Sequence, residues 1–373
     1  MNFESVNTPG LLLDLDRVRR NAERMSRVAR GQGVRLRPHI KTHKCIEVGR
    51  IQTAGNDGAI TVSTLAEAKA FAKFRFTDIT YAVPIEKGKF DAAIEILRSG
   101  VKLNLLTDDA ATMMLLDEEA GKAGVTFDVF LKIDCGTHRV GVEPHTPEAI
   151  KISRLISDSR NLTFAGILTH AGHSYGASST EEILAVARHE RDMMVELAER
   201  LRAQSIDVPT VSIGSTPTMS LVDHLKGIDE IRPGNYIFFD NFQATLGSCS
   251  FEDTALTVLT AVVHKNAAHR KLVVDAGAIA LSKDRGPVGI DPCCGYGRVL
   301  DIEGNDTGMR ITGMSQEHGE IVAEDVPAFD ALKVGDRLRI LANHSCLTAA
   351  QHSNYNVLEN GDVVDRWEIH RGW

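Results

Sequence analysis

The segment from Arg37 to Lys44 carries the first residues whose types suit chemistry. It reads Arg-Pro-His-Ile-Lys-Thr-His-Lys, so that one guanidinium and two imidazoles crowd around Lys41 and Lys44. Neighbouring cations lower the pKa of a lysine and leave a nucleophilic amine, which is the condition that a Schiff base requires. A lysine of this segment is therefore a candidate nucleophile. The alternative is a solvated basic loop.

The segment Asn343-His344-Ser345-Cys346 is the second candidate. Alternate residues of a strand point to the same side, so a strand here would place the imidazole of His344 and the thiol of Cys346 on one face. Imidazole and thiolate together suit zinc, and two protein ligands leave coordination positions for water or substrate. For an isolated pair, the alternative is a buried cysteine beside a hydrogen-bonded histidine.

Three further polar segments follow predicted strands. They are Asp134–Arg139, His170–Tyr175 and Gly214–Thr218. Gly214, Ser215 and Thr216 offer main-chain N–H groups and hydroxyls at a predicted helix start, which is how barrels bind a phosphate near their last strands. Gly234-Asn235-Tyr236 would complete such a cradle, whereas each segment taken alone could be an ordinary helix cap or turn.

A scaffold of parallel strands would bring these segments together. From Leu11 to about Asp240 the sequence repeats a short β-rich run, a turn and a stretch with helical spacing of apolar residues. We predict strands over 11–15, 34–38, 59–62, 79–83, 102–106, 127–133, 164–169, 210–213 and 230–239. About eight such units fit a closed (β/α)8 barrel better than an open doubly wound sheet.

The sequence changes beyond Cys249 to short β-rich runs separated by Gly, Asp and Asn turns. This pattern predicts a second, mostly antiparallel β domain. We expect an α/β barrel domain over residues 8–245. Residues 246–373, together with the first few N-terminal residues, are expected to form a β-rich, metal-carrying domain. A Gly/Ser-rich linker does not mark the boundary, so the two domains are expected to pack rigidly.

The composition is that of an ordinary globular protein, with 373 residues, 43% hydrophobic and 25% charged. The net charge of -8 and the scattered basic residues give none of the basic surface that nucleic-acid binding requires. Neither an export signal nor an apolar run of about 20 residues occurs in the sequence, so we expect a cytoplasmic protein without a membrane partner.

Taken together and in order, these segments resemble the D-serine dehydratase and D-threonine aldolase family of fold-type III pyridoxal-phosphate enzymes, which is related to alanine racemase. The resemblance covers nearly the whole chain. It rests on 37–44, 133–141, 169–175, 214–218, 232–240, Asp275-Ala276-Gly277, Gln316–Gly319 and 343–346. Within the family the likeness is greatest to the D-threo-3-hydroxyaspartate dehydratases, notably in 214–218, 284–286 and 367–373.

The resemblance implies that Lys41 is the Schiff-base lysine of pyridoxal 5'-phosphate and that His344 and Cys346 bind a divalent metal, either zinc or manganese, cobalt or magnesium. It also implies a set of residues around the cofactor. These are Arg139 near the phenolic oxygen, Tyr175 beside the ring or phosphate, and Gly214, Ser215, Thr216, Gly234, Asn235 and Tyr236 around the phosphate. The aldolases of this family typically carry Asp where this chain has Cys346, which favours dehydration. Leu347 departs from the family, which often has proline there.

The resemblance therefore implies a lyase that converts a β-hydroxy D-amino acid, D-threo-3-hydroxyaspartate or D-serine, to a 2-oxo acid and ammonia. A D-threonine aldolase that releases glycine and an aldehyde is the alternative on the same scaffold. An amino-acid racemase and a non-catalytic protein that binds pyridoxal phosphate are further alternatives. The family also implies a homodimer.

Overall fold

The computed structural model describes residues 3–323 and 326–373. The chain forms two compact units. The barrel unit consists of Glu23–Gly234 and His370–Trp373, and the β-rich unit consists of Met1–Ala22 and Asn235–Ile369. Among the described helices, none combines the length and the apolar character that crossing a membrane would require.

The first strand, β1 (Gly10–Asp14), lies in the β-rich unit. It pairs antiparallel with the strand that begins at Leu256 and parallel with the strand that begins at Asn354. The prediction of a barrel strand over 11–15 is therefore right about the strand and wrong about its sheet. A run of buried leucines predicts a buried strand, but the same run suits the centre of either sheet.

Eight parallel strands form the sheet of the barrel unit. They are β2 (Arg35–Leu36), β3 (Ile60–Val62), β4 (Asp78–Pro84), β5 (Lys102–Thr107), β6 (Phe127–Lys132), β7 (Leu162–Leu168), β8 (Val211–Ile213) and β9 (Glu230–Ile231). Their order is β2-β9-β8-β7-β6-β5-β4-β3. A parallel bridge between His39 and Thr61, with the Thr61 N–H donating to the Pro38 carbonyl at 2.9 Å, joins the two ends of this order. The predicted (β/α)8 barrel is confirmed.

Helices alternate with the barrel strands. They are α1 (Leu15–Gln32), α2 (Ile46–Thr53), α3 (Leu65–Ala72), α4 (Phe90–Arg98), α5 (Ala110–Ala123), α6 (Pro147–Ser157), α7 (Thr180–Ala203) and α8 (Thr216–Leu221). Side-chain caps set several starts, because Thr64, Asp109 and Ser179 each accept the N–H three residues further on. The strand predicted over 230–239 ends at Ile231, since Pro233 lacks the N–H that a central strand donates.

The barrel contains a buried ion-pair network. Arg37 donates from Nε to Glu230 Oε2 and from Nη1 to Asp78 Oδ1, each at 2.6 Å. The side chains of Arg37 and Glu230 are 3% and 2% exposed. Burial alone would raise the pKa of Asp78, but the hydrogen bonds and charges of Arg37 and Arg35 lower it to about 2. Each buried charge in this network is stable only because its partners compensate for the loss of hydration.

Replacing Glu230 by leucine is expected to lower the free energy of unfolding by about 3 kcal/mol, because it leaves the buried Arg37 with one carboxylate instead of two. Urea unfolding followed by circular dichroism measures the change. The matched control is Glu95→Leu, which removes an exposed ion pair with Lys69 and should cost less than about 1 kcal/mol. Equal losses in the two variants would contradict the expected role of this network.

The described part of the β-rich unit contains nine further strands and several short helices. The strands are β10 (Leu256–Asn266), β11 (Lys271–Val274), β12 (Gly297–Leu300), β13 (Asp306–Arg310), β14 (Gly313–Met314), β15 (Gly319–Val322), β16 (Arg337–Ala342), β17 (Asn354–Glu359) and β18 (Asp362–Glu368). The helices are α9 (Asn241–Leu246), α10 (Ala278–Leu281), α11 (Ala328–Ala331) and α12 (Ser345–Ala349). The main strand order is β13-β12-β16-β10-β1-β17-β18, in which β1 and β17 are parallel and the other neighbours antiparallel. The predicted antiparallel β domain is confirmed, with this one parallel pair added.

Candidate active site

Lys41 lies at the carboxyl end of β2, on a single turn of 3-10 helix over Ile40–Thr42. His39 caps this turn, since its Nδ1 accepts the Lys41 N–H at 3.4 Å. The other ring nitrogen of His39, Nε2, lies 3.4 Å from Ser63 Oγ after β3. The backbone that carries Lys41 is thus fixed to two neighbouring barrel strands, while the Lys41 residue itself is exposed.

The other basic residues of this segment hold the loop in place. Lys44 donates to the buried carboxylate of Glu67, which also accepts the Ser63 N–H at 2.7 Å. His43 Nε2 lies 2.8 Å from the side-chain oxygen of Gln52, and burial lowers the pKa of His43 to about 3. Of the two candidate lysines, Lys44 is therefore an anchor of the loop, and the role of Lys41 as the cofactor-binding lysine stays a prediction.

Two half-buried imidazoles, those of His39 and His170, lie near Lys41. Burial, followed by the charge of Lys41, lowers the pKa of both His39 and His170 well below the usual histidine value. His170 Nδ1 lies 3.1 Å from the carbonyl oxygen of Gly214, so the neutral ring donates to that oxygen. The surroundings of Lys41 are therefore less cationic than the sequence suggests, because these two imidazoles are neutral.

The predicted phosphate cradle after β8 forms a tight turn into α8. Gly214 has φ +114°, a conformation that favours glycine, and Ser215 is the N-cap of the helix. The Ser215 hydroxyl accepts the Thr218 N–H at 3.3 Å and lies 2.9 Å from the Ser174 hydroxyl. The predicted helix start at Thr216 is confirmed, and all these residues are buried.

Gly234 lies where the segment after β9 passes the segment after β2. A Cβ atom at Gly234 would come within 2.8 Å of the His39 carbonyl oxygen, so only glycine permits this approach. In the barrel unit, Lys41, His170, Gly214 and Gly234 are thereby linked through direct neighbours.

The other predicted cofactor contacts lie elsewhere in the sequence. Tyr175 is half-buried on the turn Gly172–Gly176, next to the Ser174 that reaches Ser215. Arg139 is exposed in the loop after β6, and its predicted role near the cofactor stays a prediction. Asn235 and Tyr236 are buried on a turn of the β-rich unit, and their role around a phosphate also stays a prediction.

The predicted metal pair lies at the start of a helix and not on a strand. β16 ends at Ala342, His344 is the N-cap residue of α12, and Cys346 lies in its first turn. The expectation that alternation along a strand joins them is therefore wrong. The two side chains are nevertheless neighbours, because the imidazole of His344 lies within hydrogen-bonding reach of the Cys346 thiol. The first turn of α12, and not a strand, brings the two side chains together.

The imidazole of His344 is oriented from its other side by a carboxylate. His344 Nδ1 lies 2.9 Å from Asp284 Oδ2. Burial alone would lower the pKa of His344, but the neighbouring Cys346 and Asp284 outweigh burial and raise it well above the usual value. The hydrogen bond to His344 lowers the pKa of Asp284 in turn. A carboxylate that holds the second nitrogen of a histidine is the usual outer partner of a metal-binding imidazole.

Asp240 and Asn235 fix the turn that carries the cysteine. Asp240 Oδ2 accepts the Ser345 N–H at 2.9 Å and the Asn235 side-chain N–H at 2.7 Å. The same amide group of Asn235 lies 3.5 Å from Cys346 Sγ, a distance suitable for an N–H···S hydrogen bond. The thiol and imidazole are thus held by polar contacts within the β-rich unit.

Another group of possible metal ligands lies in the described part of the barrel unit. Asp134, His138 and Glu143 each offer a ligand atom within 4.8 Å of the others. Asp134 Oδ1 already accepts the backbone N–H groups of Gly136, Thr137 and His138, at 2.9, 2.9 and 3.1 Å. Those bonds explain the carboxylate as the cap of the loop after β6, so this group does not displace the predicted pair.

Comparison with known proteins decides the family. The model of the alanine racemase N-terminal domain matches residues 13–242, and that of a serine dehydratase domain matches residues 255–358. D-threo-3-hydroxyaspartate dehydratase from Delftia sp. (strain HT23) is 40% identical over 99% of this chain and 98% of its own length. The chain therefore belongs to the D-serine dehydratase and D-threonine aldolase family. The D-serine dehydratase of Dictyostelium discoideum is 36% identical over 100% of this chain and 98% of its own length.

Solved structures agree with this membership of the dehydratase family. The structure of the Delftia sp. HT23 enzyme has a TM-score of 0.95 with 39% identity, over 99% of each chain. An alanine racemase from Clostridium difficile 630, at 15% identity and a TM-score of 0.70, shares the fold. The predicted family is confirmed, and so is the lyase class, since the relatives that are 28–40% identical over nearly the whole chain include two dehydratases and two aldolases.

Several buried polar residues of this dehydratase-family chain were not predicted from its sequence. Lys132, at the end of β6, donates to the Ile133 carbonyl at 2.8 Å, and burial lowers its pKa to about 8. Arg232 and Glu190 are also buried in the barrel unit. The burial of Lys132 could have been predicted from its position directly after the apolar run Val-Phe-Leu. Arg232 lay inside a segment that carried the family resemblance, and Glu190 looked like one more charge on a helix.

Proposed function

We propose that this protein is a pyridoxal-phosphate- and divalent-metal-dependent lyase that converts D-threo-3-hydroxyaspartate or D-serine to the corresponding 2-oxo acid and ammonia. The observation that carries the proposal is the pairing of His344 with Cys346 and the orientation of His344 by Asp284. A metal-binding pair of this kind suits the removal of a hydroxyl group, for which a Lewis acid is needed.

The barrel unit fits pyridoxal phosphate. The left-handed turn at Gly214 and the missing side chain at Gly234 let backbone approach a ligand closely, beside the hydroxyls of Ser215 and Thr216. We assign Lys41 to the covalent attachment. The remaining contacts are assigned to Arg139, Tyr175, Gly214, Ser215, Thr216, Gly234, Asn235 and Tyr236. The cofactor, when bound, supplies an electron sink for the electrons left at Cα.

The donor set of the β-rich unit fits a divalent ion. A thiol and an imidazole with an outer carboxylate suit zinc, and two protein ligands leave positions for a substrate hydroxyl. Two of the related Delftia structures are a histidine mutant and a metal-free cysteine mutant, with the altered residues two positions apart, the spacing of His344 and Cys346. A bound ion there would supply Lewis acidity towards the leaving hydroxyl group.

Lys41 would also move the proton at Cα. With the cofactor bound, the Lys41 amine would serve as the base from an otherwise fixed backbone turn. Neutral His39 and His170 beside it add no competing positive charge. Loss of water, as H from Cα and OH from Cβ, leaves an enamine that tautomerises to an imine. Hydrolysis of the imine consumes one water and leaves a 2-oxo acid and ammonia.

Dehydration is favoured over retro-aldol cleavage by residue type and by relatedness. Cys346 stands where the aldolases of the family typically carry aspartate. The D-threonine aldolase of Arthrobacter sp. is 28% identical, whereas the two dehydratases above are 40% and 36% identical over nearly the whole chain.

A product assay with purified protein tests this proposal. With D-threo-3-hydroxyaspartate, D-serine and D-threonine as substrates, we expect ammonia and a 2-oxo acid in equal amounts from at least one of the first two. EDTA should abolish the release of both, and added zinc, manganese or cobalt should restore it, because hydroxide is a poor leaving group without a Lewis acid.

The same assay contains the contrary outcomes. Glycine with an aldehyde or glyoxylate, and no ammonia, would instead identify an aldolase. Conversion between D- and L-enantiomers that is insensitive to EDTA would identify a racemase. Cofactor binding without turnover of any of these substrates would leave a non-catalytic binding protein. L-serine serves as the matched control, since the proposal requires the D configuration.

A further inference from the structure

Glu190 is a fully buried carboxylate in the middle of α7. Its Oε1 accepts the Ala171 N–H at 2.9 Å and the Gly214 N–H at 3.2 Å. Ala171 follows β7 and Gly214 follows β8, so a single oxygen atom joins the loops after two neighbouring barrel strands. The mechanism proposed above makes no use of this carboxylate.

The second oxygen of Glu190 reaches the start of α8. Thr218 Oγ1 donates to Glu190 Oε2 at 3.5 Å, and the same hydroxyl accepts the Ser215 N–H at 3.0 Å. A further link between the two loops is the contact of 2.9 Å between the Ser174 and Ser215 hydroxyls. The cap of α8 and the turn that carries Tyr175 are thus both tied, directly or through one residue, to Glu190.

The electrostatic setting of Glu190 favours a role in loop geometry over a role in binding an anion. Burial raises its pKa, while the backbone donors and the nearby buried cations Arg232 and Lys132 oppose that effect. Both oxygens of Glu190 already accept hydrogen bonds from the two loops, and a negative carboxylate would repel a phosphate. Buried N–H groups, however, must be satisfied, and Glu190 satisfies two of them that would otherwise point into the protein interior.

We infer that Glu190 is a positioning residue that holds the loops over 171–175 and 214–218 at the spacing that the phosphate group of the cofactor requires. This inference rests on the proposed function, because it takes the second loop to be the phosphate cradle. It predicts an effect on ligands that carry the phosphate and little effect on the same ligand without it.

The test compares pyridoxal phosphate with pyridoxal by calorimetric titration of apoprotein. Glu190→Asp retains the charge but withdraws the oxygen by one methylene, and Glu190→Ala removes both acceptors. We expect each variant to bind pyridoxal phosphate about 10-fold to 100-fold more weakly, because misplaced loops misalign every phosphate contact. The dissociation constant for pyridoxal should stay within about threefold of wild type, since Lys41 is untouched.

Glu190→Gln is the conservative variant. Its amide oxygen can accept both backbone N–H groups and its NH₂ group can donate to Thr218, so affinity for pyridoxal phosphate should return to within about threefold of wild type. Leu116→Ala, in the buried face of α5, controls for lost stability, because Leu116 lies on none of these loops. It should lower the melting temperature without changing the preference for the phosphorylated ligand.

The outcomes separate the inference from the proposed function. If wild type itself prefers pyridoxal phosphate no more than pyridoxal, the cradle assignment fails, and the role of Glu190 fails with it. If wild type shows the preference and Glu190→Asp keeps it, or if both ligands weaken equally in that variant, only the positioning role is overturned. Inorganic phosphate gives an independent probe: it should raise the melting temperature of the wild-type apoprotein more than that of Glu190→Asp.

Discussion

Replacement of Lys41 by alanine is expected to lower kcat for the favoured D-amino acid by about 10³-fold or more. The substitution removes the covalent anchor and the base at Cα in one step. Because the turn over Ile40–Thr42 is held by backbone bonds and by His39, the variant should fold normally. Steady-state ammonia release measures the loss, and borohydride reduction followed by peptide mapping should locate pyridoxyl-lysine at Lys41 in wild type.

Two other lysines make this test specific. Lys151→Ala, on the exposed side of α6, should leave kcat within about twofold of wild type, since its partner is the surface carboxylate of Glu148. Lys132 is the informative rival, because it is a buried lysine whose pKa is lowered to about 8. Reduction that labels Lys132, or a Lys41→Ala variant with wild-type turnover, would overturn the assignment of Lys41.

Removal of either His344 or Cys346 is expected to lower kcat more than any substitution discussed except Lys41→Ala. His344→Ala and Cys346→Ala should each lower the metal content of purified protein from about one ion per chain to near zero. They should also lower kcat for dehydration by about 10²-fold or more, because a Lewis acid contributes several kcal/mol to the departure of hydroxide. Plasma emission spectrometry and the ammonia assay give the two measurements.

Surface residues of the same types provide the controls. His269→Ala, in the turn between β10 and β11, and Cys293→Ser, an exposed thiol, should leave metal content and turnover unchanged. Titration with pyridoxal phosphate separates metal loss from general damage, since both metal-pair variants should retain wild-type cofactor affinity. Full metal content in Cys346→Ala together with loss of metal in an Asp134→Ala variant would move the site to the loop after β6.

The fold was largely predictable because apolar residues recur with different periods in the strands and in the helices. Parallel barrel strands are short apolar runs followed by helices, and that alternation predicts seven of the eight barrel strands at nearly their observed positions. The eighth, β9, was predicted too long because Pro233 was passed over. The pattern of apolar residues does not reveal which strands pair. β1 is an example, since its three consecutive buried leucines suit either sheet equally.

The candidate site was predictable in its residues and less so in its geometry. His344 and Cys346 were selected by chemistry, yet alternation along a strand was the wrong reason for their closeness, because the Asp240 carboxylate captures the Ser345 N–H and turns the chain into α12. Such a capture joins residues about a hundred positions apart, which local spacing does not reveal. Family resemblance had marked the segments containing Asp240 and Asp284 without assigning either a role.

Buried charge was the least predictable property. Glu190 lies among acidic and basic residues of a long helix, where the sequence suggests a solvated face. Its burial follows from the orientation of α7 relative to β7 and β8, which is a tertiary property. Arg37 illustrates the same point, because sequence analysis treated it as part of a reactive cluster and the structure pairs it with Glu230 and Asp78.

The position of β1 between β10 and β17 has a consequence for biosynthesis. β1 is synthesised before both of its neighbours, which follow about 240 and 340 residues later. All eight barrel strands are made in that interval, so the barrel is complete on the nascent chain while the first strand still waits for its sheet. Until then both edges of this apolar strand lack their native partners, which leaves β1 prone to pairing with the wrong strand during synthesis.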